Sequence, residues 1–355
     1  MTRFLLAGGG TAGHVNPLLA LADALVADDS SNQVWALGTR EGLEATLVPQ
    51  RGYELLTVER LPFPRKPSWY AVTFPLRFLR AIRQVKRYLK ENQIDAVVGF
   101  GGYASAPAYL AAKSLGIPSV VHEANALPGW ANKLGAKSAK AVGVTFRSTP
   151  IANATFVGMP LRKEIEALAA NSEKESARLH FGLDPDTITL LVTGGSLGAK
   201  RINETIENSR RVLSAAGIQV LHIMGGRSEL PEVHEKDYVR IAYCDRMDLA
   251  IAASSFAVSR AGASTVSEFS ALGLPAAYVP YPVGNGEQKL NVADVVAGEG
   301  GLLVLDADFD EAFVANTLVP LISNSRALAE MAKSAKKVGI ADGTARLLAL
   351  VKGVL

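Results

Sequence analysis

Two stretches, FLLAGGGTAGH (Phe4–His14) and TLLVTGGSLGA (Thr189–Ala199), share one plan: an apolar run, a glycine-rich turn, and the start of a helix. The second opens about 185 residues after the first, so a single βα unit is used twice rather than as a short-period repeat. Around each copy, apolar runs alternate with helical patterns. Strands are expected at Phe4–Ala7, Val34–Leu37, Ala96–Phe100, Ser119–His122 and Ala141–Val144, with helices near 15–27, 41–50, 76–91 and 104–115. After Gly158 the alternation restarts, with strands near 187–193, 218–224, 238–243, 256–259, 276–279 and 301–305. Such alternation builds parallel sheets covered by helices on both faces. The fold class is therefore α/β, with two doubly wound domains meeting near Val157–Leu161 and facing a central ligand cleft. A length of 355 residues suits two domains of about 150 each. The stretch 170–187 is polar and expected to be exposed. A last helical pattern over 342–352 has no strand after it, so it either closes the second domain or crosses back to the first.

Cys244 is the single cysteine, so no intrachain disulfide forms and a reducing, intracellular location is expected. The apolar run before the first glycines is too short for a signal-peptide core, and no run of about 18 apolar residues spans a membrane. Zinc-spaced His/Cys sets, a G-x-S-x-G elbow and a Walker loop are absent, which argues against metal and hydrolase chemistry.

Gly8, Gly10 and Gly13 spell G-x-G-x-x-G after a strand, a pattern that brings backbone N–H groups and a helix N-terminus onto an anion. A nicotinamide site also needs an acidic residue at the tip of the next strand. Here that strand ends Gly38-Thr39-Arg40, with no carboxylate at its tip. Arg40 suits a 2′-phosphate, which keeps an NADP-dependent oxidoreductase open as an alternative. His14 at the loop's end and Pro17 in the first helical turn point to another phosphate-bearing ligand.

The second half supplies a partner. In SRAGASTVSEF, Gly262, Ala263, Ser264 and Thr265 open a helix whose N–H groups and dipole suit a diphosphate. Glu268, one turn on, is placed to accept from two ribose hydroxyls. Thr265-x-x-Glu268 also fits a capping box, and spacing alone leaves both readings open. Ser196 in GGSLGA and Gln288 in NGEQKLN offer further polar groups. VVHEAN clusters His122, Glu123 and Asn125 at a strand end, with His122 equally readable as a structural histidine. GFGGYASAP (Gly99–Pro107) is another strand–glycine–helix corner able to take a second anion.

GGTAGHVNP, GFGGYASAP, HEAN, GMPLR, GGSLGA, RAGASTVSE and EQKLN occur in this order across nearly the whole chain. Together they resemble the MurG family of peptidoglycan glycosyltransferases. The resemblance implies a two-Rossmann architecture with residues 1–160 plus 340–355 as an acceptor and membrane-side domain, the C-terminal helix packing back on it, and residues 161–339 as the donor domain. It implies an inverting transfer of GlcNAc from UDP-GlcNAc to the 4-hydroxyl of MurNAc in undecaprenyl-pyrophosphoryl-MurNAc-pentapeptide (lipid I), giving lipid II, with no metal or other cofactor. Another UDP-sugar glycolipid transferase or an epimerase of the same fold is the nearer alternative. Donor contacts carried over are Thr11, Ala12, Gly13, Asn125, Arg162, Ser196, Cys244, Ala263, Ser264, Thr265, Val266, Ser267, Glu268 and Gln288. Gly101, Gly102 and Tyr103 would face the acceptor diphosphate. His14 is the first choice of general base, for a pKa near neutrality, followed by Glu123 and His122. The sequence departs from the family at Ala124, where HEQN is usual, at Glu287, and at Cys244, where Ile or Val is usual.

Net charge is +3, yet Arg60, Arg65, Lys66, Arg77, Arg80, Arg83, Lys86, Arg87 and Lys90 fall in one segment without an acidic residue. At helical spacing Phe78, Leu79, Ile82, Val85 and Leu89 share one face, with cations on the other, an amphipathic helix whose basic face is at least solvated. Trp69, Tyr70, Val72 and Phe74 lie among prolines just upstream as an expected interfacial tip. Such a surface fits anionic lipid, and the expectation is a peripheral enzyme at the cytoplasmic face of the cell membrane. No recognition helix or aromatic-studded sheet supports nucleic acid as a partner.

Overall fold

Leu5 and Leu6 are adjacent in one strand and both fully buried, which happens only when a sheet is covered on both faces. A computed structural model describes residues 1–64, 66–170 and 174–355. They divide into two units, Met1–Arg162 with Asp342–Leu355, and Lys163–Ala341.

In the first unit, strands β1 (Arg3–Ala7), β2 (Gln33–Gly38), β3 (Glu54–Thr57), β4 (Ala96–Gly99), β5 (Ser119–Glu123), β6 (Ala141–Val144) and β7 (Thr155–Phe156) are ordered β3-β2-β1-β4-β5-β6-β7. Every pairing is parallel, with Phe4 opposite Val34 on one side and Ala96 on the other. The order reverses between β1 and β4, so the turns leaving these two strands flank one crevice at their carboxyl ends. Helices α1 (Ala12–Asp28), α2 (Glu44–Gln50), α3 (Trp69–Glu91), α4 (Ser105–Leu115) and α5 (Trp130–Ala136) cover the sheet. The last helix, Gly343–Lys352, belongs to this unit. Leu347 and Val351 are fully buried in one core cluster with Phe4, Leu18, Leu21 and Val98, and Lys352 pairs with Asp28 at 2.8 Å. Burying two such side chains stabilises the helix by roughly 3–6 kcal/mol.

The second unit repeats the plan with β8 (Ile188–Thr193), β9 (Ile218–Ile223), β10 (Val233–Glu235), β11 (Tyr238–Ile241), β12 (Phe256–Ser259), β13 (Ala276–Tyr278) and β14 (Gly301–Leu303), ordered β10-β11-β9-β8-β12-β13-β14. Only β10–β11 is antiparallel. Its switch point lies between β8 and β12. The helices used below are α6 (Lys163–Ala170), α7 (Lys174–His180), α8 (Lys200–Asn208), α9 (Arg210–Ala215), α10 (Met247–Ala253), α11 (Ala263–Leu272) and α12 (Glu287–Asn291).

Three expectations change. Helix α3 starts at Trp69, not near 76, with Ser68 Oγ accepting the Ala71 N–H as its cap, so the expected interfacial tip is largely helical. Pro75 lies inside that helix. Leu79, assigned to the buried face, is 47% exposed, and the buried side is Phe74, Ala81, Val85 and Leu89. The stretch 170–187 is not simply exposed: α7 buries Ala177 and Arg178, and Leu183 follows them inside. Arg178 Nε donates to the Ala253 carbonyl at 2.9 Å. Arg65 and positions 171–173 lie outside the described residues.

Candidate active site

In the first unit, α1 begins at Ala12 with Thr11 as an N-cap whose side chain makes no capping bond. The His14 and Val15 N–H groups return to the Thr11 carbonyl, at 3.1 Å each, which leaves Ala12 and Gly13 as the outward donors of this terminus. The half-buried His14 places Nδ1 3.1 Å from the Gly9 carbonyl and 3.2 Å from Thr11 Oγ1. A carbonyl only accepts, so Nδ1 carries the proton and Nε2 keeps the lone pair. Burial lowers the pKa of His14 below 6.5, opposed by the Glu123 charge, the Gly9 hydrogen bond and the Glu44 charge. Nε2 faces the turn after β4: a Cβ on Gly101 would stand 3.2 Å from it and 3.3 Å from Asn132 Nδ2. Gly101 and Gly102 adopt φ of +94° and +78°, and a Cβ on Gly102 would meet the Gly9 carbonyl oxygen at 2.6 Å. Both positions therefore require glycine. The Gly101 N–H donates to Ser105 Oγ at 3.0 Å, so Gly101 contributes shape to an anion site and not its donor. Tyr103 is half-buried beside this turn, with the Arg60 guanidinium over its ring at 5.3 Å.

The two other base candidates have structural occupations. Glu123 accepts from the Asn125 N–H (2.9 Å), the Gly129 N–H (3.0 Å) and Asn132 Nδ2 (2.9 Å), holding the HEAN turn in shape. Glu123 is 2% exposed, and its carboxylate is spent on two backbone N–H groups and the Asn132 amide. His122 is fully buried, with Nε2 donating to the Gly158 carbonyl at 3.1 Å and Phe100 against its ring. Burial drives its pKa to about 4, so it stays neutral, and Nδ1 has no hydrogen-bond partner among the described residues. Asn125 is half-buried, its carbonyl accepting from Thr149 Oγ1. Arg162 is half-buried at the end of this unit.

The sequence reading missed Glu44. It stands six residues beyond the end of β2, past a strand tip that carries no carboxylate, and it is fully buried. Oε1 accepts from the Thr39 N–H and hydroxyl and Oε2 from the Gly10 N–H, all at 2.8 Å. Its carboxylate leaves no room for a Cβ on Gly9, Gly38 or Gly42. A built-in anion thus sits against the first glycine turn and takes one of its donors, which disfavours the NADP reading. Three glycines around one Glu were the available signal.

In the second unit, Gly262 is the N-cap of α11, again without a side-chain capping bond. Thr265 is the third helical residue, so it cannot be the N-cap of a Thr265–Glu268 box, and that reading falls. Val266 is the first N–H to turn back, onto the Gly262 carbonyl at 3.0 Å. Ala263, Ser264 and Thr265 therefore present the unreturned N–H groups of the first turn. Val266 is buried and its N–H is used within the helix, so it offers this terminus no hydrogen-bond donor. Ser264 Oγ is buried without a hydrogen-bond partner among the described residues, a polar atom at the terminus suited to a ligand. Ser267 is half-buried and Glu268 buried in the same helix. The turn is braced from outside: Arg260 bonds the Val279 and Pro280 carbonyls and pairs with Asp306, and Asn291 Nδ2 donates to the Ala261 carbonyl at 3.2 Å.

Ser196 is exposed on the turn after β8, its carbonyl accepting from the Gly226 N–H at 2.9 Å. Gln288 Oε1 accepts from the Tyr281 N–H at 2.9 Å, so its amide NH2 is the end left to meet a sugar. Cys244 is buried in the connection between β11 and α10. Among the described residues no group of three or more His, Cys, Asp or Glu is placed to hold a metal.

Two doubly wound sheets, each with a glycine turn and a helix N-terminus free of a side-chain cap at its switch point, place the chain in the class of two-unit α/β proteins whose turns suit a phosphate-bearing ligand. Residues 4–144 match the glycosyltransferase family 28 N-terminal domain and residues 189–347 its C-terminal domain, and the chain belongs to that family. Relatives from Leifsonia xyli and Clavibacter sepedonicus are 56% and 55% identical, each over 99% of this chain and over 98% and 96% of their own. Both are named UDP-N-acetylglucosamine–N-acetylmuramyl-(pentapeptide) pyrophosphoryl-undecaprenol N-acetylglucosamine transferase. The crystal structure of Acinetobacter baumannii MurG is 26% identical with a TM-score of 0.78, covering 99% of this chain and all of that one. A Neisseria meningitidis UDP-GlcNAc 2-epimerase bound to UDP-GlcNAc, 14% identical with a TM-score of 0.68 over 99% of this chain and 100% of its own, shares the fold alone.

Proposed function

We propose that this chain transfers GlcNAc from UDP-GlcNAc to the 4-hydroxyl of MurNAc in lipid I, forming lipid II with inversion at the sugar carbon. The observation that carries the reading is near-full-length identity above 50% to relatives named for that transfer. The geometry supplies the means. Donor diphosphate binds the N-terminus of α11, where the Ala263, Ser264 and Thr265 N–H groups and the helix dipole stabilise the charge that grows as UDP leaves. Glu268 accepts from the ribose hydroxyls, and Ser196, Gln288 and the backbone at Cys244 complete the donor contacts in this unit. In the first unit, His14 Nε2 takes the proton from the attacking hydroxyl, since its lone pair is free while Nδ1 is held by Gly9. The Gly101–Gly102 turn and Tyr103 receive the acceptor's diphosphate, while Thr11, the Ala12 and Gly13 N–H groups, Asn125 and Arg162 are the donor contacts of this unit. The charge is carried by backbone donors, so the transfer runs in chelator.

The same reading puts the enzyme at the cytoplasmic membrane face. Among the described residues no helix is long and apolar enough to cross a membrane. Trp69 (79% exposed), Val72, Leu76 and Leu79 form an exposed apolar stripe along α3, and Phe63 and Trp130, with ring centroids 5.0 Å apart, extend the apolar surface. Arg80 and Arg83 are exposed on the same helix. Arg77 and Arg87 are less free than their sequence window implied, because Glu59 and Glu91 just outside it pair with them. Lys86 is half-buried, while Tyr70 donates to the Pro62 carbonyl and packs on the buried Phe74. Anionic lipid is therefore met by the stripe, Arg80 and Arg83.

Isothermal titration with UDP-GlcNAc and UDP-glucose in EDTA tests the donor assignment. Clear preference for UDP-GlcNAc is expected, and equal binding of both, or of neither, defeats it.

A further inference from the structure

The Gly9–Gly10 peptide is held at both ends. Its N–H donates to Glu44 Oε2 at 2.8 Å, and its carbonyl receives His14 Nδ1 at 3.1 Å. A peptide group is a rigid plane with its N–H and C=O pointing in opposite directions, so fixing one end aims the other. Nothing else in this corner has slack. Gly9 is pressed between the Glu44 carboxylate on one side and Gly102 on the other. Glu44 is itself fixed by the Thr39 N–H and hydroxyl, both at 2.8 Å, and is fully buried.

We infer that Glu44 is a positioning residue for the transfer: through the Gly9–Gly10 peptide it aims the imidazole of His14 and fixes its tautomer. The carboxylate draws on the Gly10 N–H, the peptide is polarised, and its carbonyl becomes a better acceptor for the His14 Nδ1 proton. Nε2 is thereby kept as the unprotonated nitrogen, facing the Gly101–Gly102 turn. This is the role a directly bonded carboxylate plays for a histidine base, relayed here through one backbone amide. The inference rests on the assignment of His14 as base, but the relay itself is a property of the resting protein.

The test is Glu44→Gln, a near-isosteric change that replaces one acceptor oxygen by an NH2 facing N–H donors. In ¹⁵N spectra of the imidazoles, with His14 assigned by its absence in His14→Gln, wild-type protein is expected to show the Nδ1–H tautomer and Glu44→Gln a mixture. In turnover with UDP-GlcNAc and a soluble lipid I analogue, kcat is expected to fall on the order of 10²-fold, as for a small misplacement of a reacting group. KM for the donor is expected to move much less than kcat, because most of the donor contacts, the N-terminus of α11 among them, lie in the second unit. A general loss of structure would move both parameters. An unchanged tautomer with wild-type kcat overturns the inference. Should Glu44→Gln fail to fold, Thr39→Val removes only one of the carboxylate's donors. There, a shifted tautomer population with lowered kcat supports the relay, and wild-type values of both overturn it. Wild-type protein that transfers no GlcNAc would defeat the proposed function, while the tautomer comparison would still decide the relay.

Discussion

Gly101→Ala separates the shape of the acceptor corner from its chemistry. At φ +94° an alanine is strained, at about 1–3 kcal/mol for a non-glycine residue in such a region. For a unit of this size that lowers the midpoint of thermal unfolding by roughly 2–12 °C. The new methyl would also stand 3.2 Å from His14 Nε2 and 3.3 Å from Asn132 Nδ2, in the space in front of the lone pair. If that space receives the acceptor hydroxyl, the variant loses most of the contribution of a general base, about 10²–10⁴-fold in kcat. Donor affinity is expected to be unchanged. The assay is calorimetric unfolding together with steady-state transfer kinetics, read at a temperature where the variant is fully folded. A folded Gly101→Ala protein with wild-type kcat would refute the placement of the reacting hydroxyl beside Nε2.

Further outcomes follow from the same geometry. The neutral form of His14 is the active base, and its pKa is lowered from 6.5, so kcat/KM is expected to rise with pH through a midpoint below 6.5 and then plateau; His14→Gln should abolish that limb, and a limb centred above 6.5 would contradict it. His122 and His222 are held neutral, with pKa values of about 4 and about 3 against 6.5 unfolded. The folded state therefore binds fewer protons, and stability present above pH 6.5 is lost as pH falls, by about 2 kcal/mol per unit between pH 6.5 and 5 in urea titrations; a flat profile would contradict burial of the neutral rings. Arg80→Ala with Arg83→Ala is expected to weaken partition onto phosphatidylglycerol-containing vesicles about 30-fold, from ~1 kcal/mol per cation, without changing turnover on a soluble acceptor. Unchanged partition would move the lipid contact elsewhere.

The strands that carry the site were legible because each is a short apolar run, too brief for a helix and bounded by turn residues, and β1, β4 and β8 run into glycine. β3, β7 and β10 were not, since they sit toward the sheet edges, short and partly polar. Helix α5 was hidden because TRP-led WANKLGA is too brief to show a period, yet its Asn132 links Tyr109, Glu123 and the space before His14. The start of α3 was obscured by Pro75, which argues against a helix locally while the packing of Phe74 on Phe63, Tyr70 and Phe78 keeps one. In the site, residue types gave His14 and the α11 terminus, because a histidine at a helix start and a small-residue turn each point to a specific chemistry. What residue types could not give is which polar groups are already satisfied. Glu123 and His122 look like bases in sequence and are occupied in the fold, Glu123 by two backbone N–H groups and Asn132, His122 by the Gly158 carbonyl, while Glu44 looks like a surface helix residue and is fully buried against three glycines.

The most direct test of the central claim is product analysis after incubating the purified chain with radiolabelled UDP-GlcNAc and a lipid I analogue in EDTA. The account predicts a β-1,4-linked GlcNAc–MurNAc lipid product formed at undiminished rate in chelator, with one UDP released per sugar transferred. Release of free sugar, epimerised UDP-sugar, or no product with an intact acceptor would contradict it.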